Sequence, residues 1–187
     1  KGTVSNMSKH TDSAEERMDK SVDSLKYNFG KVRTGRANPR ILDSIKVDFH
    51  GVPTPITQLA GVKVPEASML VIEPWDKSSL NSIEKAILQS DLGITPSNDG
   101  QSIRLPFPQP TEERRREQVK DCKQMAEECR ISIRNARKDA NRAIDRDEEI
   151  SEDEQNAEKK RVQKLTDTYV KMVDDRLKAK TDEVMSI

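Results

Sequence analysis

All nine prolines of this 187-residue chain fall between Pro39 and Pro110, and none lies in residues 1–38 or 111–187. Proline has no N–H and its ring collides with the preceding turn, so it is excluded from helix interiors. The flanks can therefore be long helices, and the middle can hardly be one. This predicts a helical domain, residues 1–34 with 111–187, interrupted by an inserted α+β domain, residues 35–110.

The flanks carry the matching periodicity. Ala14, Met18, Val22, Leu25, Phe29 and Val32 recur at steps of 4, 4, 3, 4 and 3, the stripe of an amphipathic helix over residues 13–32. Ser13 is the expected N-cap, and Gly35 and Pro39 close the pattern. A second helix is expected from Thr111 as N-cap, with Glu112 and Glu113 at the positive end of its dipole. Its apolar series is Cys122, Ala126, Cys129, Ile133, Ala136, Ala140 and Ala143, a mean step of 3.5 that suits a bundle. Ser151 and Glu154 form a capping box for a third helix, whose stripe is Val162, Leu165, Tyr169, Met172, Val173, Leu177 and Val184. Three such helices, two joined by a short acidic turn at 147–154, predict an elongated three-helix bundle. In the middle, residues 45–49, 69–72 and 102–105 read as strands. Residues 79–90 read as a helix and Asn98-Asp99-Gly100 as a turn.

Catalytic chemistry finds no constellation. His10, in an expected N-terminal tail, and His50 are the only histidines. Phosphate-cradling glycine motifs and a G-x-S-x-G elbow are absent. Cys122 and Cys129 lie seven apart on one helix, too far for a disulfide, and read as small core residues. The acidic run lacks the glycine and oxygen spacing of a calcium loop. The chain reads as a non-enzyme without metal or cofactor. No apolar run approaches the ~18 residues of a membrane span.

The distinctive constellation is Arg130, Arg134, Arg137 and Asn141. At ~100° per residue they fall within roughly 60° of one another on the second helix. Residues 130–146 carry six basic and two acidic side chains, although the whole chain has 33 of each sign and no net charge. A guanidinium ladder at this spacing suits successive nucleic-acid phosphates. The alternative is a solvated bundle face neutralised by intrahelical partners such as Asp139. Arg33 and Arg36, beside the domain junction, add to the basic set.

Longer motifs carry a family resemblance. Arg-Met-Asp-Lys at 17–20, Lys-Val-Arg-Thr-Gly-Arg-Ala at 31–37 and Gly-Val-Pro-Thr-Pro-Ile at 51–56 resemble ribosome recycling factor. So do Ile-Glu-Lys-Ala-Ile at 83–87, Ser-Asp-Leu-Gly-Ile at 90–94, Thr-Glu-Glu-Arg-Arg at 111–115 and Arg-Asn-Ala-Arg-Lys-Asp-Ala-Asn at 134–141. Glu-Ile-Ser-Glu-Asp at 149–153 and Gln-Lys-Leu-Thr-Asp at 163–167 complete a match over nearly the whole chain from Met7.

The resemblance implies an L-shaped, tRNA-like monomer, with a three-helix bundle as long arm and a small β/α/β domain as short arm. It implies binding to the A/P region of the large ribosomal subunit after termination, and subunit splitting with elongation factor G and GTP. It carries ribosomal-RNA contact to Arg130, Arg134 and Arg137; Asn141, Arg33 and Arg36 join the candidate set from their spacing and position. It carries the two-strand hinge to residues 35–39 on one crossing, with Gly35 and Pro39, and to residues 105–110 on the other, with Pro106, Pro108 and Pro110. One departure stands out: between Asn141 and Glu149 the chain is about three residues shorter than the family pattern, which would rotate a helix by ~300°. Either the turn comes earlier here, or the numbering closes over missing residues.

The competing reading is a coiled-coil scaffold or chaperone-like module that binds protein only. For compartment, Asn98-Asp99-Gly100 and Asp76-Lys77-Ser78-Ser79 resemble plastid or cyanobacterial members. The plastid stroma is favoured over a bacterial cytoplasm or a mitochondrial matrix. Residues 1–12 lack a signal-peptide core; Met7 is one candidate start, and a cleaved transit peptide ending before Lys1 is the other.

Overall fold

The structure, a computed structural model, describes residues 8–186; Met7 as a candidate start lies outside them. The described chain divides into two compact units, one from the residues up to Val32 with Glu112–Ser186, the other from Arg33–Thr111.

The first unit is a bundle of α1 (Lys9–Lys31), α3 (Glu112–Asp145) and α4 (Glu152–Met185). Helix α1 starts earlier than the sequence suggested. Ser8, not Ser13, is its N-cap, accepting a hydrogen bond from the Thr11 amide, so His10 lies in the first turn of a helix rather than in a tail. The reason is tertiary: Thr11 is buried, which extends the inward stripe of Ala14, Met18, Val22, Leu25 and Phe29 by a turn. On α3 the buried positions are Gln118, Cys122, Ala126, Cys129, Ile133, Ala136, Ala140 and Ile144. The stripe ends on Ile144 rather than on Ala143, which is exposed. Both cysteines are buried and free, and burial pushes their thiols above the ordinary range.

Helix α3 ends at Asp145, and backbone bonds run from the Arg146 amide to the Arg142 carbonyl and from the Asp147 amide to the Ile144 carbonyl before α4 begins. Asp147 closes the turn: its carboxylate accepts from the Glu149 amide at 3.0 Å and its carbonyl accepts from Gln155 Nε2 at 3.1 Å. The Ser151–Glu154 capping box is present in both directions.

The second unit has more strands than expected. It contains β1 (Lys46–Phe49), β2 (Val52–Pro55), β3 (Ala60–Glu66), β4 (Met69–Pro74), α2 (Leu80–Leu88), β5 (Ser97–Asn98) and β6 (Ile103–Pro106), with one short 3-10 turn before β1 and two between these elements. Strands β1 and β2 form a two-stranded hairpin, and the rest form a sheet of order β3-β4-β6-β5, all antiparallel. The hairpin turns at His50 and Gly51, both at positive φ (51° and 81°), the geometry of a tight two-residue turn. Strands β2 and β3 escape a sequence reading because they hold Pro53, Pro55 and Pro65. Each strand has an unpaired edge where a missing N–H costs nothing, and Pro65 sits where the β3–β4 register shifts. Leu70, Ile72, Ile103 and Leu105 point from the central strands into a core closed by Leu42, Val47, Ile56, Ile83 and Ile87. Leu88, expected on the apolar side of α2, is exposed.

Candidate nucleic-acid interface

Helix α3 brings Arg130, Arg134 and Arg137 onto one side, beside the buried stripe, as the spacing requires. Their surroundings differ in a way the spacing does not reveal. Arg130 is largely enclosed, its side chain 17% exposed. Its Nε and Nη2 both donate to Asp174 Oδ1 on α4, at 2.9 and 2.5 Å, and its Nη1 donates to Glu127 Oε2 at 3.0 Å. Burial works against the Arg130 charge, but these carboxylate bonds outweigh it and raise the guanidinium pKa above its ordinary value. Arg134 is more open and its Nη1 lies 3.3 Å from the other oxygen of Glu127. Two guanidiniums thus face two carboxylates, and this end of the ladder is electrically neutral.

Arg137 is held differently. Its Nη1 donates to the amide oxygen of Gln163 on α4 at 3.2 Å. A neutral acceptor orients a guanidinium without compensating its charge. Asn141 is half-buried, and its Oδ1 is enclosed without a hydrogen-bond partner.

The intrahelical neutralisation expected of a solvated face is present in part, through Glu127, which pairs with Arg130 and Arg134. Asp139 does not reach these arginines; it pairs with Arg17 of α1 at 2.9 Å and with Arg142 at 3.8 Å. Asp174 and Gln163 were not legible as partners, since they lie on another helix at a register no spacing encodes. Glu127 was legible in principle, three residues before Arg130. Arg33 and Arg36 are exposed and belong to the other compact unit.

The crossing residues also have distinct settings. Pro39 opens a short 3-10 turn, Pro39–Leu42, with Asn38 as its cap, and Pro106 ends β6 opposite Met69. Backbone bonds from the Ala37 amide to the Ala67 carbonyl and from the Phe107 amide to the Ser68 carbonyl fasten both segments to the β3–β4 turn. Gln109 Nε2 then donates to the Gly35 carbonyl at 3.1 Å. Gly35 is not at positive φ; its lack of a side chain matters because a Cβ there would meet Gln109 Oε1 at 2.5 Å. Pro108 is exposed and Pro110 half-buried. Among the described residues no group of three or more His, Cys, Asp or Glu could hold a metal ion, and no helix is long and apolar enough to cross a membrane.

Comparison with known proteins agrees with this architecture. The family model described as ribosome recycling factor matches residues 25–185. The ribosome-recycling factor of Desulforamulus reducens is 52% identical over 177 residues, covering 94% of this chain and 96% of the relative. That of Caldicellulosiruptor saccharolyticus is 50% identical over 177 residues, with 93% and 96% covered. A solution structure of the ribosome recycling factor superposes with a TM-score of 0.72 at 38% identity, over 99% of this chain and 100% of that one. A second structure is titled as models for the T. thermophilus ribosome recycling factor and the E. coli elongation factor G bound to the E. coli post-termination complex. It matches with a TM-score of 0.55 at 38% identity, over 92% and 95%. With its motifs, its bundle and its inserted sheet unit all matched along nearly the full length, the chain belongs to the ribosome recycling factor family.

Proposed function

We propose that this protein binds the post-termination ribosome through the arginine face of α3 and, with elongation factor G and GTP, separates the subunits. The observation that carries the binding surface is Arg137, whose guanidinium is held by a neutral amide and keeps its charge for a phosphate. The similar structure of a family member bound with elongation factor G to a post-termination complex supports the partners. The protein acts by binding; the catalytic step, GTP hydrolysis, belongs to the elongation factor. A protein-only scaffold has no support from the family membership.

Within this reading Arg137 makes the principal ribosomal-RNA contact, Arg134 assists, and Arg130 fastens α3 to α4. Asn141 lies on the same helix, and Arg33 and Arg36 are proposed as further basic contacts to the ribosomal RNA. The segments holding Gly35 and Pro39, and Pro106, Pro108 and Pro110, form the hinge through which the small unit is pushed. Arg137→Glu turns a phosphate contact into a repulsion. It is expected to weaken binding to large subunits by at least tenfold at moderate salt, with native circular dichroism. Unchanged binding would refute the surface. For compartment, the two relatives named above are bacterial and support a bacterial-type translation apparatus. The plastid stroma is the setting we favour from residues 76–79 and 98–100, over a bacterial cytoplasm; cell fractionation of the source decides between them.

A further inference from the structure

The three arginines of the α3 face are held by two different chemistries, and the difference points to a positioning residue on the opposite helix. Arg130 and Arg134 are paired with Glu127 and Asp174, both carboxylates. Arg137 meets the side-chain amide of Gln163 instead.

A glutamine amide has an accepting end and a donating end, and left alone it can present either. Here the choice is made by Asp167, one turn further along α4. Gln163 Nε2 donates to Asp167 Oδ1 at 2.9 Å. A carboxylate only accepts, so Asp167 takes the NH2 end and leaves the oxygen facing Arg137 Nη1. If the amide turned over, two sets of N–H donors would oppose each other.

Arg137 is fastened through one of its five N–H donors, and the remainder of its fork is unspent. An amide carries no net charge, and the nearest carboxylate in this chain of bonds stands one amide farther off. The guanidinium is therefore both oriented and uncompensated, which its neighbours Arg130 and Arg134 are not. Preorganising a long side chain also reduces the rotamer freedom that binding would otherwise remove.

We propose that Gln163, itself oriented by Asp167, is the positioning residue that aims Arg137 at a backbone phosphate of the ribosomal RNA while leaving its charge intact. The proposal rests on the reading of the α3 face given above, and its test separates the two.

The experiment is a double-mutant cycle on the full chain, reading the dissociation constant for purified large ribosomal subunits at two salt concentrations. Gln163→Ala is expected to weaken binding about 3- to 10-fold in the wild-type background and to have no further effect in Arg137→Ala. Gln163→Glu, which neutralises Arg137, is expected to weaken binding at least as much and to flatten the salt dependence. Asp167→Ala is expected to weaken binding too, although it removes a negative charge and simple charge counting demands the opposite. Equal losses for Gln163→Ala in both backgrounds would mean that Gln163 touches RNA itself and would overturn the proposal. So would wild-type affinity in Gln163→Ala, or unchanged or tighter binding in Asp167→Ala. Normal binding by Arg137→Ala would overturn the reading of the α3 face, and the proposal with it. Gln163 and Asp167 are exposed, so thermal melting should be unchanged in all three variants.

Discussion

The imidazole Nε2 of His10 lies 2.8 Å from the carboxylate of Asp147, a residue 137 positions later in the chain. The contact joins the first turn of α1 to the turn between α3 and α4, so one short bond fastens all three helices at one end of the bundle. The hydrogen bond from His10, then that from the Glu149 amide, hold the Asp147 carboxyl below its ordinary range.

A carboxyl with a depressed folded-state pKa stabilises the fold above its unfolded value, about 3.9, and loses that contribution as pH falls through the folded value. His10→Ala removes the largest cause of the depression. The acid unfolding midpoint should therefore move to higher pH, and a carboxyl NMR titration should show Asp147 protonating at higher pH. An unchanged acid limb would show that the contact contributes nothing in solution.

Tyr169 is buried on α4 and its hydroxyl donates to the Asp19 carboxylate of α1. Burial first, then the bond to Asp19, push its pKa far above the ordinary phenol value. Tyr169→Phe loses a charge-assisted hydrogen bond but leaves Asp19 able to hydrate, so a cost of about 1–2 kcal/mol is expected in denaturant melts. The raised pKa fixes the alkaline sign. Above about pH 10 the unfolded chain loses the phenol proton and the folded one keeps it, so stability falls as pH rises. In a Tyr27→Phe background, phenolate absorbance should appear only with unfolding.

Arg130 and Arg137 should separate in their effects. Arg130→Ala breaks the α3–α4 clasp to Asp174 and is expected to cost about 1–2 kcal/mol of stability, with the exposed carboxylates rehydrating. Arg137→Ala should leave the melting temperature nearly unchanged and reduce ribosome affinity more. The reverse order, in melting and binding measured side by side, would reassign the two residues.

A disulfide tests the hinge proposed above. A disulfide between the segments at 35–39 and 105–110, with Cys122 and Cys129 replaced by alanine, should leave ribosome binding nearly intact and abolish splitting. Light scattering of post-termination ribosomes with elongation factor G and GTP, in oxidised and reduced forms, reads the outcome. Gly35→Ala is a milder probe: the new methyl group displaces Gln109 and removes its bond to the Gly35 carbonyl, at about 1 kcal/mol.

Much of this protein is written in local sequence. Proline's exclusion from helices marked the insert, because that rule acts on one residue at a time. The helical stripes placed Met18, Cys122, Ile133 and Val162 in the bundle core, and Ser151 with Glu154 marked the start of α4, since capping needs only a span of three residues. Local spacing likewise set Arg130, Arg134 and Arg137 on one face. It could not say which arginine keeps its charge. That depends on Asp174 and Gln163, which sit 44 and 26 residues away from the arginines they hold, and on a helix register set by how early the α3–α4 turn comes. The same is true of His10, whose place became a helix only because Thr11 found a core to enter, and of β2 and β3, whose prolines are harmless only at strand edges. Contacts across the bundle and across the sheet are chosen by packing, and packing is decided after the local rules have been satisfied.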